Sequence, residues 1–260
     1  MGQCDCTEEI GKETMYQFFV EPSQIQGNRI EITGQDVNHI KNVLRMKVGE
    51  EIAVSNGIDQ KEYRCGILEL CEDKILCELR FIKEDGLELP SRIHLFQGLP
   101  KADKMELIIQ KAVELGAYEI IPMACRRCVV KLDEKKQKSR ITRWQGIAEA
   151  AAKQSKRRVI PVVKEVMSFT DAIKYAENMD VTCIPYELAE GMEKTKQLIE
   201  SVKPGQDIAV FIGPEGGFEE GEIAKAVEAG IVPITLGKRI LRTETAGFTV
   251  ISWLMYQLET

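Results

Sequence analysis

The chain has 260 residues, of which 44% are hydrophobic and 29% are charged, and its formal net charge is −6. This is the composition of an ordinary globular protein, and no apolar run approaches the roughly 18 residues that a membrane-spanning helix needs. A membrane-spanning protein is therefore excluded. The beginning of the chain lacks the apolar core of a signal peptide, so we expect a cytoplasmic protein with one large domain or two smaller ones.

The first part of the chain predicts a short tail and a small β domain. Residues 1–14 are polar and without periodicity, and we expect them to be a disordered N-terminal extension or a start placed too early, with Met15 as the natural beginning. Residues 15–86 alternate short apolar runs with turn signals, and one helix is predicted from Asp36 to Met46 with Asp36 as its N-cap. A closed or nearly closed small barrel would satisfy this pattern. The predicted strands are 18–20, 29–32, 51–55, 61–70 and 74–81.

From residue 87 onward, strands alternate with helices, which predicts an α/β domain with a parallel sheet covered on both faces. The last helix, from Ala246 to Leu258, is apolar nearly all round and should be buried in the core or in a subunit interface. The predicted strands are 93–97, 119–123, 162–166, 181–184, 208–212 and 232–236. The other helices are predicted to start near Lys101, Lys135, Ser168, Gly191 and Glu219.

Positive charge is concentrated in one stretch of an acidic chain. Between Cys125 and Lys164 there are thirteen of the 35 Lys and Arg residues and only three of the 41 Asp and Glu residues. Such asymmetry favours a basic surface that contacts a phosphate backbone, although a solvated helix face would produce the same pattern.

The eight cysteines are scattered along the chain. In a cytoplasmic protein they are better explained as small buried side chains or free thiols than as disulfides. Cys125 and Cys128 form a Cys-x-x-Cys motif, but a structural zinc site would need a second pair of ligands, and His39 and His94 are the only imidazoles. We therefore expect no metal.

Two glycine-containing turns carry the candidate ligand site. The segment from Gly213 to Phe218 follows a predicted buried strand and precedes a helix, so its main chain can approach a ligand and the helix start offers N–H groups. It matches neither phosphate-binding fingerprint, which favours a nucleotide-like ligand other than a bare phosphate.

The second turn runs from Leu236 to Ala246, again between a strand and a helix, and it brings Lys238, Arg239 and Arg242 to the carboxyl end of a strand. Thr243 or Thr245 as an N-cap would explain the hydroxyls. That interpretation leaves the three cations unexplained, and they favour a ligand crevice.

Taken together, the two turns resemble the 16S ribosomal RNA uridine-N3 methyltransferase family of the SPOUT superfamily. The resemblance extends from Met15 to the end of the chain. The matching segments are 213–217, 236–246, 97–106, 109–111, 114–116, 127–130, 143–144, 149–151, 154–155 and 39–45. Two departures stand out: Gln17 occupies a position where the family commonly has arginine, and Lys238 replaces a proline.

The resemblance implies a PUA-like β-barrel RNA-binding domain over residues 15–86 and a SPOUT-type α/β trefoil-knot methyltransferase domain over residues 87–260. It implies S-adenosylmethionine as the cofactor, 16S rRNA of the small ribosomal subunit as the partner, and a homodimer without metal or membrane contact. The implied cofactor-binding residues are Ile212, Gly213, Gly216, Gly217, Leu236, Gly237, Ile240, Leu241, Thr243 and Ala246.

For catalysis, we expect Arg242 to orient the uracil and to stabilise negative charge on its carbonyl oxygens. Glu215 or Glu244 could assist removal of the N3 proton, or could be helix-start carboxylates. The implied phosphate-binding residues are Arg45, Lys101, Arg126, Arg127, Lys153, Arg157 and Arg158. The alternatives are a non-catalytic RNA-binding assembly factor and a SPOUT methyltransferase that acts on another RNA or on a ribose hydroxyl.

Overall fold

The structure is a computed structural model that describes residues 15–84, 86–189 and 191–260. The predicted disordered extension, residues 1–14, lies outside the described residues. The chain divides into two compact units, the first ending at Glu84 and the second beginning at residue 85, whereas the sequence places the boundary after residue 86. Within the described residues, no helix is long and apolar enough to cross a membrane.

The first unit contains a six-stranded sheet whose strands follow the order β1-β4-β5-β6-β3-β2. The pair β1–β4 is parallel and the other pairs are antiparallel. Among the strands described, pairing does not continue from β2 back to β1, so of the two predicted forms the fully closed barrel is wrong. The strands are β1 (Gln17–Phe19), β2 (Ile25–Gln26), β3 (Arg29–Thr33), β4 (Glu51–Ser55), β5 (Glu62–Leu70) and β6 (Lys74–Lys83).

The core of this unit is built by alternation, because successive side chains of a strand point to opposite faces of the sheet. Ile30 and Ile32 of β3 are both fully buried in one apolar cluster. Register shifts between β5 and β6 bend the sheet around that cluster. The cluster also contains residues from the other long strands and from the following helix, including Phe18, Val37, Ile40, Ile52, Val54, Cys65, Ile67 and Ile75.

The helix predicted from Asp36 to Met46 is present but shorter and differently capped. An α-helical turn, α1 (Gln35–Asn38), continues into a π-helical turn at His39–Val43. The N-cap position is Gly34 rather than Asp36, and Gly34 has a φ of 74° that suits glycine. Arg45, with a φ of 54°, lies just beyond the helical end.

The second unit contains a seven-stranded sheet in which every pair is parallel, which confirms the predicted parallel sheet. The strand order is β10-β8-β7-β12-β11-β13, and β9 also pairs with β8. Its central strands are buried along nearly their whole length, as expected for a sheet covered on both faces. The strands are β7 (Arg92–Gly98), β8 (Glu119–Ala124), β9 (Val162–Val163), β10 (Met167–Ser168), β11 (Val181–Pro185), β12 (Asp207–Ile212) and β13 (Val232–Ile234).

Within residues 86–189 and 191–260, six helices accompany this sheet, each near its predicted start. In α2, the buried residues recur at helical spacing, which places them on one face. In α7, Val250, Ile251 and Leu254 are fully buried whereas Tyr256 is 70% exposed. The helix is therefore core-facing with one open side. The helices are α2 (Lys104–Glu114), α3 (Glu134–Gln154), α4 (Phe169–Ala176), α5 (Met192–Ser201), α6 (Glu220–Glu228) and α7 (Thr243–Glu259).

The strand order positions a crevice. From β7 the chain continues to its neighbour β8 on one side, while the later strand β12 occupies the other side. In open parallel sheets, ligands bind outside the carboxyl ends of the strands where the order reverses in this way. The carboxyl ends of β7 and β12 therefore mark the place where a ligand site is expected.

Candidate functional site

The two turns that the sequence singled out lie at one edge of the second unit's sheet. β12 ends at Ile212 and leads into the first turn, and β13 ends at Ile234 and leads into the second. β11 lies between them and ends at Pro185. Because these strands are parallel, all three connections leave from the same edge, and they surround a cavity of about 530 Å³. That volume is within the range of cofactor sites.

All of the predicted cofactor-binding residues line this cavity, as do two of the three predicted catalytic residues, Arg242 and Glu215. The third, Glu244, is not among the lining residues. The structure thus brings the two turns together around one space. The lining residues that match the predictions are Ile212, Gly213, Gly216, Gly217, Leu236, Gly237, Ile240, Leu241, Thr243 and Ala246.

The first turn is held tightly against the end of β7. The Gly217 N–H donates to the Pro214 carbonyl at 2.8 Å, and Gly217 has a φ of 67°, a conformation that glycine adopts without a steric cost. A Cβ atom on Gly98 would lie 2.7 Å from both Cδ and N of Pro214. The two main chains are therefore packed directly against each other, and no side chain at Gly98 could be accommodated without displacing the turn.

Thr243 connects the two turns through its hydroxyl group. Its Oγ1 donates to the Gly213 carbonyl at 2.6 Å and accepts from Gln97 Nε2 at 2.9 Å. Thr243 is buried and is the first residue of α7, whose N-cap position is Arg242. The prediction of Thr243 or Thr245 as the N-cap is therefore wrong, because the Thr243 hydroxyl bonds across to another strand end.

Five residues that line the cavity lie outside the two turns and were not predicted as site residues from the sequence. They are Lys104, Pro185, Tyr186, Glu187 and Thr235. The segment after β11 is brought in because β11 lies between β12 and β13, and the Tyr186 N–H donates to the Ile234 carbonyl at 3.0 Å. The strand itself is visible in the sequence. Its place in the sheet depends on tertiary structure and has no local signal.

Lys104 is the centre of an ion cluster that includes both predicted catalytic carboxylates. Its Nζ lies 3.0 Å from Glu215 Oε1 and 3.6 Å from Glu244 Oε2. The Lys101 N–H also donates to Glu215 Oε1 at 3.0 Å. The cluster thus links the start of α2, the first glycine turn and the start of α7.

The electrostatics of this cluster keep Glu215 ionised. Partial burial acts to raise the pKa of Glu215, but hydrogen bonds from its own backbone N–H, from Lys104 and from the Lys101 N–H outweigh burial, and its pKa lies below the usual value. The pKa of Lys104 is raised, chiefly by its hydrogen bond to Glu215. A carboxylate with a lowered pKa is a weak base, so the geometry favours an anchoring role for Glu215.

Three cations at the cavity contrast with these paired acids. Lys238, Arg239 and Arg242 all line the cavity and are exposed. Within the described part of the chain, no hydrogen bond or ion pair engages their side chains. Such side chains are available to an anionic ligand or to charge that develops on one.

Replacing Lys104 with methionine should weaken the affinity of the cavity for S-adenosylmethionine, the predicted cofactor, about tenfold or more, because two carboxylates would then face each other across the junction of the three segments. Lys104→Arg keeps the charge and should restore most of the affinity. Isothermal titration calorimetry of the two variants measures the effect. Equal affinity of Lys104→Met and the wild type would contradict the organising role of this lysine.

Most of the predicted phosphate-binding residues are exposed, and two lie beside the first turn. Arg127 donates from a terminal guanidinium nitrogen to the Gly216 carbonyl at 2.9 Å, and the Arg126 N–H donates to Glu222 Oε1, also at 2.9 Å. The exposed members of the predicted set are Arg45 in the first unit and Lys101, Arg126, Arg127 and Lys153 in the second.

For Arg157 and Arg158 the predicted phosphate contact is wrong, because both residues are buried, at 6% and 0% exposure. Arg157 Nε donates to Glu88 Oε2 at 3.0 Å, and a terminal nitrogen of the same guanidinium donates to the Ala117 carbonyl at 2.6 Å. The Arg158 N–H donates to the other carboxylate oxygen of Glu88 at 3.0 Å. A run of basic residues in a sequence suggests a solvated surface. Here the Glu88 carboxylate, which lies far away in the sequence, pairs with Arg157 of this run inside the protein.

Comparison with known families identifies the family to which the chain belongs. Residues 87–255 match the family of the RNA methyltransferase domain, and residues 32–80 match the RNA methyltransferase PUA domain. The chain is 38% identical to ribosomal RNA small subunit methyltransferase E of Bacillus subtilis, with 94% of this chain and 98% of the relative covered. It is 34% identical to the protein of the same name from Mesomycoplasma hyopneumoniae, with 92% and 98% covered.

Solved structures show the same fold. Ribosomal RNA small subunit methyltransferase E from Neisseria gonorrhoeae, bound to S-adenosylmethionine, superposes with a TM-score of 0.77 at 32% identity and covers 92% of this chain and 96% of its own. A Legionella pneumophila protein in complex with the same cofactor gives a TM-score of 0.80 at 31% identity, with 93% and 97% covered. With both units matched and identity above 30% over nearly the whole length, the chain belongs to the ribosomal RNA small subunit methyltransferase E family.

Proposed function

We propose that this protein transfers the methyl group of S-adenosylmethionine to N3 of a uridine in the 16S rRNA of the small ribosomal subunit. One observation connects this function with a specific site. The two glycine turns enclose a single cavity, and Arg242, whose guanidinium no described residue pairs, lies at that cavity. Family membership supplies the reaction class, and the bound cofactor of the relatives from Neisseria gonorrhoeae and Legionella pneumophila supplies the methyl donor.

The residues at the cavity fit S-adenosylmethionine. Ile212, Leu236 and Leu241 provide apolar surface for an adenine ring, and the main chains of both turns provide N–H and carbonyl groups. Gly217 and Gly237 have φ values of 67° and 101°, so the turns bend there without a side chain intruding. When bound, the cofactor supplies an electrophilic methyl group on a sulfonium ion.

The base must be presented with its Watson–Crick edge free, because N3 lies on that edge. We assign to Arg242 the orientation of the uracil and the stabilisation of negative charge on its carbonyl oxygens as the N3 proton leaves. Glu215 and Glu244 both lie beside Lys104, and we assign them to holding the cavity rather than to removing the proton. This revises their predicted catalytic role: Glu215 is a poor proton acceptor because its pKa is lowered, and Glu244 is assigned to the ion cluster on the geometry of its contact with Lys104.

The direct experiment is methyl transfer from labelled S-adenosylmethionine to unmodified small ribosomal subunits, followed by mass spectrometry of the nucleosides. We expect label in N3-methyluridine. RNA binding without transfer would identify a non-catalytic assembly factor instead. Label in another nucleoside, or on a ribose hydroxyl, would identify a methyltransferase with a different target.

Two further features belong to the proposal: a trefoil knot in the second unit and a cytoplasmic homodimer. The start of α7 supports the knot, since a Cβ on Gly247 would lie 3.7 Å from Ile212 Cγ1 and 3.9 Å from Leu95 Cδ1, and Thr243 bonds to the end of β12. The helix thus returns against β7 and β12 after the second turn.

Light scattering coupled to size-exclusion chromatography measures the oligomeric state, and a monomeric mass at micromolar concentration would contradict the homodimer.

The salt dependence of RNA binding tests the basic stretch that remains exposed. Replacing Lys131, Lys135 and Lys138 with glutamine should reduce the slope of log affinity against log salt by about two to three units, because each phosphate contact releases a counterion. The matched control replaces Lys194, Lys203 and Lys225, which are also exposed but lie in the acidic part of the chain. An equal change in both variants would mean that only net charge matters.

A further inference from the structure

The Cys-x-x-Cys motif forms a tight turn directly after β8. The Cys128 N–H donates to the Cys125 carbonyl at 3.0 Å, which defines a β-turn and keeps the two Cα atoms within about 7 Å of each other. The Cys125 N–H donates to Cys128 Sγ at 3.3 Å. Cα atoms this close lie in the range that a disulfide can bridge.

Both cysteines line a second cavity. Cys125 and Cys128 are largely buried, at 7% and 9% exposure, and the cavity beside them has a volume of about 360 Å³. Two exposed cations also line this cavity and give it positive charge: Lys131, and Arg126, whose guanidinium lies 3.6 Å from Glu219 Oε2. Anionic oxidants of low molecular weight are therefore attracted to the thiols.

The two thiols differ in acidity in the way that a redox pair requires. Hydrogen bonds from the Cys125 thiol and from the backbone N–H groups of Cys125 and Leu99 outweigh burial and lower the pKa of Cys128 to about 7. The same contact raises the pKa of Cys125. By contrast, burial raises the pKa of Cys183 to about 12. Cys128 is thus the nucleophile and Cys125 the resolving thiol.

The turn is mechanically connected to the cofactor cavity through its two central residues. Arg127 holds the Gly216 carbonyl at 2.9 Å, and a Cβ on Gly216 would lie 3.2 Å from Arg127 Cβ. The Arg126 N–H is bound by Glu222 of α6, whose other carboxylate oxygen accepts from the Glu219 N–H at 2.9 Å. Any change in the conformation of the turn is therefore transmitted to the glycine turn and to the start of α6.

We propose that Cys125 and Cys128 form a reversible disulfide by exchange with a low-molecular-weight disulfide such as glutathione disulfide, and that the oxidised protein binds S-adenosylmethionine more weakly. The second half of this inference rests on the proposed function. The Cys128 thiolate attacks one sulfur of glutathione disulfide and releases one glutathione thiolate. Cys125 then loses its proton and attacks Cys128 Sγ in the mixed disulfide. This releases the second glutathione as a thiolate, which takes up that proton. Two protein thiols are oxidised and one glutathione disulfide is reduced.

Oxidation weakens cofactor binding because the S–S bond requires the sulfurs to approach to about 2.05 Å. Cys128 Sγ must then move away from the backbone N–H groups of Cys125 and Leu99. Because the turn changes conformation, Arg126 and Arg127, which lie between the cysteines, change direction. Loss of the Arg127 bond to Gly216 removes one hydrogen bond from a charged donor, which corresponds to roughly tenfold in affinity.

The test equilibrates the full-length protein in glutathione buffers of increasing oxidised fraction and follows it by peptide mass spectrometry and by calorimetric titration with S-adenosylmethionine. We expect a loss of 2 Da, mapped to the peptide with Cys125 and Cys128, and a cofactor Kd about tenfold higher, both reversed by dithiothreitol. Cys128→Ser should show neither change under oxidation, and Cys183→Ser should behave as the wild type.

Three results would overturn the proposal. One is stable glutathione attached to Cys128 without an internal disulfide, and another is no oxidation of this pair across the series. The third is a disulfide that leaves the cofactor Kd unchanged. Failure of the reduced protein to bind S-adenosylmethionine would instead contradict the proposed function, so the two failures are distinguishable.

Discussion

Arg242→Gln should lower kcat for methylation of the small ribosomal subunit by about 10²- to 10³-fold, the usual effect of removing one donor that stabilises developing negative charge. The affinity for S-adenosylmethionine should change less than about threefold, since the cofactor is assigned to the main chain of the turns. The fold should be unaffected because the Arg242 side chain is exposed, while its carbonyl still accepts from the Ala246 N–H at 2.8 Å. Single-turnover rates with labelled cofactor measure the chemical step.

Arg239→Gln is the matched control for this variant. Arg239 lies in the same turn, lines the same cavity and is exposed, but it is not assigned to the base. Its replacement should raise KM for the subunit and change kcat little, because an exposed cation contributes to phosphate attraction more than to the chemical step. If both variants lost kcat equally, or if Arg242→Gln only raised KM, the assigned role of Arg242 would be wrong.

Glu88→Gln should lower the free energy of unfolding of the second unit by about 3–5 kcal/mol. Glu88 and Arg157 are a buried ion pair, with side-chain exposures of 6% and 7%, and one Glu88 oxygen also accepts from the Arg158 and Val159 N–H groups. Glutamine removes the negative charge of Glu88 from beside the buried Arg157 guanidinium and replaces one acceptor oxygen with a donor. Chemical denaturation followed by tryptophan fluorescence reports on this unit, because Trp144 and Trp253, the only tryptophans, lie in it.

The control for the stability prediction is Glu200→Gln. Glu200 forms an exposed pair with Lys196 at 3.7 Å, and exposed pairs of this kind contribute about 0–1 kcal/mol. The double variant Glu88→Leu/Arg157→Leu should lose less stability than the two single changes added together, since neither residue then leaves the other's charge buried. A loss below 1 kcal/mol in Glu88→Gln would contradict the structural role of the pair.

Local sequence determined the parts of this protein whose physical cause is local. The strand predicted at 29–32 and the helix predicted to start near Lys101 follow from the geometry of single elements, and β3 and α2 confirm both predictions. The two glycine turns were found in the same way, because Gly217 and Gly237 adopt positive φ between a strand and a helix. Their combination with the surrounding motifs also indicated the family, which the comparisons show.

Tertiary structure alone decided which of these local pieces meet. No pattern in the sequence places β11 between β12 and β13, or brings Tyr186 to the cavity, since strand order depends on packing across the whole sheet. The same holds for the Thr243 hydroxyl, which a capping rule assigned to its own helix, and for Lys104, whose two carboxylates lie far away along the chain. The position of charged residues shows most clearly what the sequence cannot predict. Arg157 is basic in the sequence, and only the fold supplies the buried Glu88 carboxylate that removes it from the surface.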